Sequence, residues 1–114
     1  MLQAGDTEIR EVEIEYETLD GLACEYEYEA RAFGGETGEI ETRTADGETE
    51  KRKDDATLAE VKWLVEAMSL HPGLAREEII DRACHVLALD RSRLRKLDVE
   101  VAFEDGRELE AKLH

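Results

Sequence analysis

The sequence predicts an α+β fold: an antiparallel sheet in the order β-β-β-(β)-α-α-β-β with two helices packed on one face. Three observations predict it. Between Ile9 and Ala32 two segments alternate glutamate with apolar residues around Leu19-Asp20-Gly21, and a similar alternation runs from Leu97 to Leu113 around Glu104-Asp105-Gly106. Between them lie two stretches with apolar residues at helical spacing, separated by Leu70-His71-Pro72-Gly73. With 114 residues there is material for one domain with a modest core and too little for two. Residues 1–114 therefore read as a single domain, with 1–7 disordered and 33–38 a flexible loop.

In the first strand Val12, Ile14 and Tyr16 share one parity, and Glu11, Glu13, Glu15 and Glu17 the other. The second strand repeats this, with Cys24, Tyr26, Tyr28 and Ala30 inward and Glu25, Glu27 and Glu29 outward. A three-residue loop with Gly21 in the left-handed conformation pairs Ile14 with Tyr26 and Val12 with Tyr28. It also sets Glu15 opposite Glu25, Glu13 opposite Glu27 and Glu11 opposite Glu29. A two-residue turn would put apolar residues opposite glutamates, so parity selects the longer loop.

The third strand, Glu39 to Ala45, has Ile40 as its only large inward residue. Around Ala45-Asp46-Gly47 the same loop would pair Glu41 with Lys51 and Glu39 with Lys53, opposite charges worth roughly 0.2–1 kcal/mol each. Such a polar hairpin suits a sheet margin. In Thr57-Leu58-Ala59-Glu60 a capping box starts helix 1, whose apolar stripe is Leu58, Val61, Leu64, Val65 and Met68. Trp63 stands about 155° from the centre of that stripe, near Ala59, Ala67 and Leu70. Two placements are open to it: packed on helix 2 or under the 33–38 loop, or exposed with Leu70 as an apolar patch for a partner.

Helix 2 runs from about Arg76 to Leu87, with Ile79, Ile80, Ala83, Val86 and Leu87 inward. A connector, Asp90 to Lys96, carries the one basic cluster, Arg91, Arg93, Arg95 and Lys96. The last hairpin pairs Val101 with Leu109 and Val99 with Ala111, and its outward residues Asp98, Glu100, Glu108 and Glu110 are acidic again.

From Leu58 onward the order of motifs resembles the YusW-like family of small bacterial proteins, a family of unassigned function often found behind lipoprotein leaders. The resemblance rests on Glu77-Glu78-Ile79-Ile80 in helix 2, the linker Leu89-Asp90, and the strand Val99-Glu100-Val101-Ala102-Phe103-Glu104-Asp105-Gly106. It implies a fold and no catalytic residues. This sequence departs from the family in lacking a leader and in being richer in arginine and acid.

The formal charge of −15, from 30 acidic against 15 basic side chains, repels phosphate. Direct binding to nucleic acid or an anionic membrane is not expected. The N-terminus has no basic region followed by an apolar core, and no run approaches a membrane span, so the expectation is either a cytoplasmic location or a leader removed ahead of this sequence. Cys24 and Cys84 are far apart and lack a CxxC spacing, so neither a zinc motif nor a disulfide framework is present.

Catalytic machinery is not expected either. His71, His85 and His114 show no paired-ligand spacing, Ser69 and Ser92 lack a nucleophile motif, and Gly34-Gly35 is no phosphate loop. Asp81 and His85 read as an exposed helix pair. Calcium ligation is not expected, because no EF-hand spacing occurs and carboxylates splayed along a sheet do not converge. The expectation is a non-enzymatic protein-binding module without metal or cofactor. Its surface is either the glutamate face (Glu11, Glu13, Glu15, Glu25, Glu27 and Glu29) or the Trp63 patch with Leu70. Its partner is a protein with a basic surface, or a second copy of itself. One alternative is a DNA mimic inhibiting a nucleic-acid-binding enzyme or defence complex. Another is a halophilic or housekeeping protein whose acidity serves solubility alone.

Overall fold

A computed structural model describes residues 2–4, 7–31 and 33–114. Among them seven strands form one antiparallel sheet: β1 (Leu2–Ala4), β2 (Thr7–Thr18), β3 (Ala23–Ala30), β4 (Glu36–Arg43), β5 (Thr49–Arg52), β6 (Leu94–Phe103) and β7 (Glu108–Leu113). The helices α1 (Asp55–Ala67) and α2 (Arg76–Leu87) lie between β5 and β6 in the chain. Across the sheet the order is β5-β4-β3-β2-β6-β7, with β1 beside the start of β2. The two terminal hairpins therefore meet at the centre of the sheet, where β2 pairs with β6.

All three x-Asp-Gly loops close their hairpins with glycine at positive φ, 94° at Gly21, 91° at Gly47 and 89° at Gly106. In the first two a threonine, Thr18 or Thr44, donates its hydroxyl to the loop aspartate and accepts from the backbone amide four residues on. The registers follow. Ile14 pairs with Tyr26, Glu15 with Glu25, Glu13 with Glu27 and Glu11 with Glu29. Val101 pairs with Leu109 and Val99 with Ala111.

On the apolar face α1 covers β3 and β4, and α2 covers β6 and β7. Val61, Leu64, Val65 and Met68 from α1 and Ile79, Ile80 and Ala83 from α2 are buried against Ile14, Tyr28, Val99 and Phe103. Each such side chain contributes roughly 1.5–3 kcal/mol by leaving water. A polar clasp also holds α1 to the sheet. Tyr28 donates its hydroxyl to Glu36 at 2.6 Å, and Lys62 of α1 donates to the other oxygen of the same carboxylate at 3.0 Å. These two donors hold the Glu36 carboxyl down at about 2, the tyrosine hydrogen bond being the larger influence.

Several expectations are corrected. Leu2–Ala4 pair with β2 instead of lying disordered; residues 1, 5 and 6, and Ala32 at the end of the first hairpin, fall outside the described residues. Of the expected 33–38 loop, Glu36, Thr37 and Gly38 belong to β4, because the β3 ladder continues to them. Lys51 reaches both Glu41 (3.8 Å) and Glu39 (2.8 Å), and β5 ends at Arg52, before the expected Glu39–Lys53 pair. Leu94 to Lys96 extend β6 rather than the connector.

Helix α1 is capped by Asp54, not Thr57. The Asp54 carboxylate accepts from the Thr57 amide at 2.8 Å and from the Thr57 hydroxyl at 2.6 Å. Thr57 is fully buried and thus needs an acceptor close at hand. Replacing Asp54 with alanine should destabilise the fold by about 1 kcal/mol, measurable as a lower urea midpoint.

Candidate functional site

The second face of the sheet is bare. The shortest extent of the Cα trace, 19 Å, accommodates the sheet and one helix layer, and both helices occupy the other side. Strand pairing arranges the outward side chains in rows. In the middle row Glu39, Glu27, Glu13, Glu100 and Glu110 stand opposite one another on β4, β3, β2, β6 and β7. With strands about 4.8 Å apart, the row is about 19 Å long. Toward the Leu19 loop the next row is Glu41, Glu25, Glu15 and Asp98, closed by Lys51 on β5 and Lys112 on β7. On the other side Glu29 and Glu11 continue the array, with Glu108 at its margin.

Cations reach the margins of this array. Lys96 lies 2.8 Å from Glu15 and 3.6 Å from Asp98, Lys51 holds Glu39, and Lys112 lies 3.2 Å from Glu110. Among the described residues, Glu11, Glu13, Glu25, Glu27, Glu29 and Glu100 form no ion pair. Two shallow depressions, of about 470 Å³ and 420 Å³, lie on either side of β2; Glu13, Glu100, Glu108 and Glu110 line the first, Glu27, Glu29 and Glu39 the second, and Glu11 both.

The uncompensated charges alter one another's protonation. Glu25 is pushed up to about 7, first by its hydrogen bond with Glu27, then by burial, then by the charges of Glu27, Glu13 and Glu15. Glu13 is raised by burial and by the charges of Glu27, Glu100, Glu15 and Glu11. The carboxylates of Glu13, Glu25 and Glu27 come within 4.8 Å of one another, which corrects the expectation that carboxylates along a sheet stay splayed. No metal ligands are assigned: three carboxylates on an open sheet, without a carbonyl or histidine donor, fall short of a calcium shell.

The candidate residues thus divide. Glu11, Glu13, Glu15, Glu25, Glu27 and Glu29 lie on one face, joined by Glu39, Glu100 and Glu110 from strands that the first hairpin alone could not place. Trp63 is 63% exposed on the outer side of α1, in the helix layer and away from the carboxylates. Leu70 does not join it. The helix ends at Ala67 and Ser69 turns the chain at φ 49°, so Leu70 leaves the helical wheel and is buried at 3% exposure. An exposed Trp63–Leu70 patch is therefore ruled out. Both cysteines are free, and burial pushes the Cys24 thiol up, away from nucleophilic use. No described helix is long and apolar enough to cross a membrane.

Fold and face define a two-layer α+β protein whose open sheet surface is an array of carboxylates. The chain belongs to the YusW-like family: the family model described as YusW-like protein matches residues 10–105, which span the array except its last strand. No curated protein and no solved structure matches the chain.

Proposed function

We propose that the chain is a non-enzymatic binding module whose carboxylate face receives a basic protein surface. The observation that carries this reading is the five-glutamate row, paired with lysine at its two ends and, among the described residues, without an ion pair at Glu27, Glu13 and Glu100. Two unit charges about 5 Å apart repel by about 0.8 kcal/mol in water, so each uncompensated neighbour costs stability. A cationic surface laid on the row relieves that cost, and the net charge of −15 steers it there. The same charge argues against direct contact with nucleic acid.

The length of the array favours one version of this reading, in which the partner is the basic groove of a nucleic-acid-binding enzyme or defence complex. Rows about 4.8 Å apart across the strands and about 6.7 Å apart along them present charge over a track instead of at one point. Competition with duplex DNA for such a partner would separate this version from a general basic surface.

Calorimetric titration with decalysine at low salt tests the face. Glutamine at Glu13, Glu15, Glu25 and Glu27 should weaken binding by about tenfold or more, ~1.4 kcal/mol. Glutamine at the exposed Glu48, Glu50, Glu66 and Glu104 removes equal charge elsewhere and should weaken it far less. Equal losses from the two sets would leave the acidity as mere solvation, the outcome expected of a salt-adapted protein.

A further inference from the structure

The sheet ends in two unlike edges. On β5 every side chain from Thr49 to Arg52 is exposed, and Glu50, Lys51 and Arg52 are charged, which discourages a further strand. On β7 the exposed Glu108, Glu110 and Lys112 alternate with Leu109, Ala111 and Leu113, and both leucines are only half-buried. Among the described residues β7 pairs with β6 alone. The Phe103 amide donates to the Arg107 carbonyl at 2.9 Å, so the ladder turns the amides and carbonyls of Leu109, Ala111 and Leu113 toward β6. Those of Glu108, Glu110 and Lys112 point out of the edge, where the Arg76 guanidinium of α2 donates to the Lys112 carbonyl. A carbonyl oxygen has two lone pairs, so this one can accept an amide as well.

We infer that this edge receives β7 of a second copy of the chain, antiparallel, with Ala111 on the twofold axis. Charge complementarity selects both occupant and register. Outward backbone groups must meet outward backbone groups, so Glu108, Glu110 and Lys112 can oppose only residues of their own parity. Centring the pair on Leu109 sets Glu108 against Glu110, centring on Glu110 sets two glutamates together, and centring on Lys112 two lysines. Centred on Ala111, Glu110 faces Lys112 twice and Glu108 faces His114, while Leu109 meets Leu113 on the apolar face. Of these registers it alone brings no like charges together. Ala111 also has the small side chain that suits the close approach of strands at a non-hydrogen-bonded pair. Helix α2 packs on β6 as well as β7, so its two copies flank the axis. The axis stands perpendicular to the sheet, and both carboxylate faces lie on the same side of one continuous sheet.

Sedimentation equilibrium in about 0.5 M KCl tests the pairing, because two chains of −15 repel at low salt and that repulsion is screened within a few ångströms there. The native chain should approach twice its monomer mass between about 10 μM and 1 mM. Glu110→Lys and Lys112→Glu each put like charges in contact and should weaken self-association by about tenfold. Mixed one to one, the two variants should recover it, since the first then presents two cations to the two anions of the second. Both positions are exposed, so each variant should keep a thermal midpoint close to that of the native chain. A native chain that stays monomeric over this range, a dimer indifferent to both substitutions, or variants that fail to associate on mixing would each overturn the proposal.

Discussion

Replacing Gly38 with valine is expected to cost about 3 kcal/mol or more, a large part of the 5–15 kcal/mol that holds a domain of this size. Gly38 pairs with Tyr28 on the apolar face of β4, directly beneath α1. A Cβ built there would stand 2.7 Å from the Leu58 Cα, so the helix backbone itself would have to lift. Lifting α1 would loosen Val61, Leu64 and Val65 and pull Lys62 from Glu36. Urea unfolding should show a much lower midpoint. A valine variant within about 0.5 kcal/mol of the native chain would mean that α1 does not sit on β4, as a mobile 33–38 loop would have allowed.

Neutralising the middle of the array should act in the opposite direction. Glu13 faces Glu27 on one side and Glu100 on the other, so Glu13→Gln removes one charge and relieves two like-charge repulsions at once. At low salt the gain should be about 1 kcal/mol, or about 4 °C in the thermal midpoint. Near 1 M salt, where the screening length falls to about 3 Å, the gain should nearly vanish. The pH dependence follows from the same side chains. A carboxyl raised in the folded state, as at Glu25, lets the fold bind more protons than the unfolded chain between about 4.5 and 7, so its contribution to stability declines as pH rises through that window. Glu36, held at about 2, has the opposite sign: its contribution is complete above about 4.5 and is lost as pH falls below it. A variant that gains stability at low salt while losing its cationic ligand would mark these glutamates as retained for binding at the expense of the fold.

Hairpin registers were legible in the sequence because each x-Asp-Gly loop has fixed length and parity admits one pairing. The like-charge pairs of β2 and β3 followed without a structure. What joins β2 to β6 was not legible, since that contact crosses two helices and no local signal specifies it. The outward parity of Asp98 and Glu100 was visible, but their place beside Glu15 and Glu13 was not. At the start of α1 the segment offers two competing caps, Asp54 to Thr57 and Thr57 to Glu60, and burial of the Thr57 hydroxyl decides for the first. Leu70 departs from the helical wheel that its spacing predicts because the backbone has already turned at Ser69. Convergence of Glu13, Glu25 and Glu27 depends on side-chain torsions, which alternation does not encode.

The central claim, that the carboxylate face is the binding surface, is tested most directly by mapping amide chemical-shift changes while decalysine is added to the isotope-labelled protein. Saturable changes should centre on Glu13, Glu25, Glu27 and Glu100, with α1 around Trp63 and the outer side of α2 unaffected. Changes centred on Trp63, or spread evenly over every acidic surface of the molecule, would contradict it.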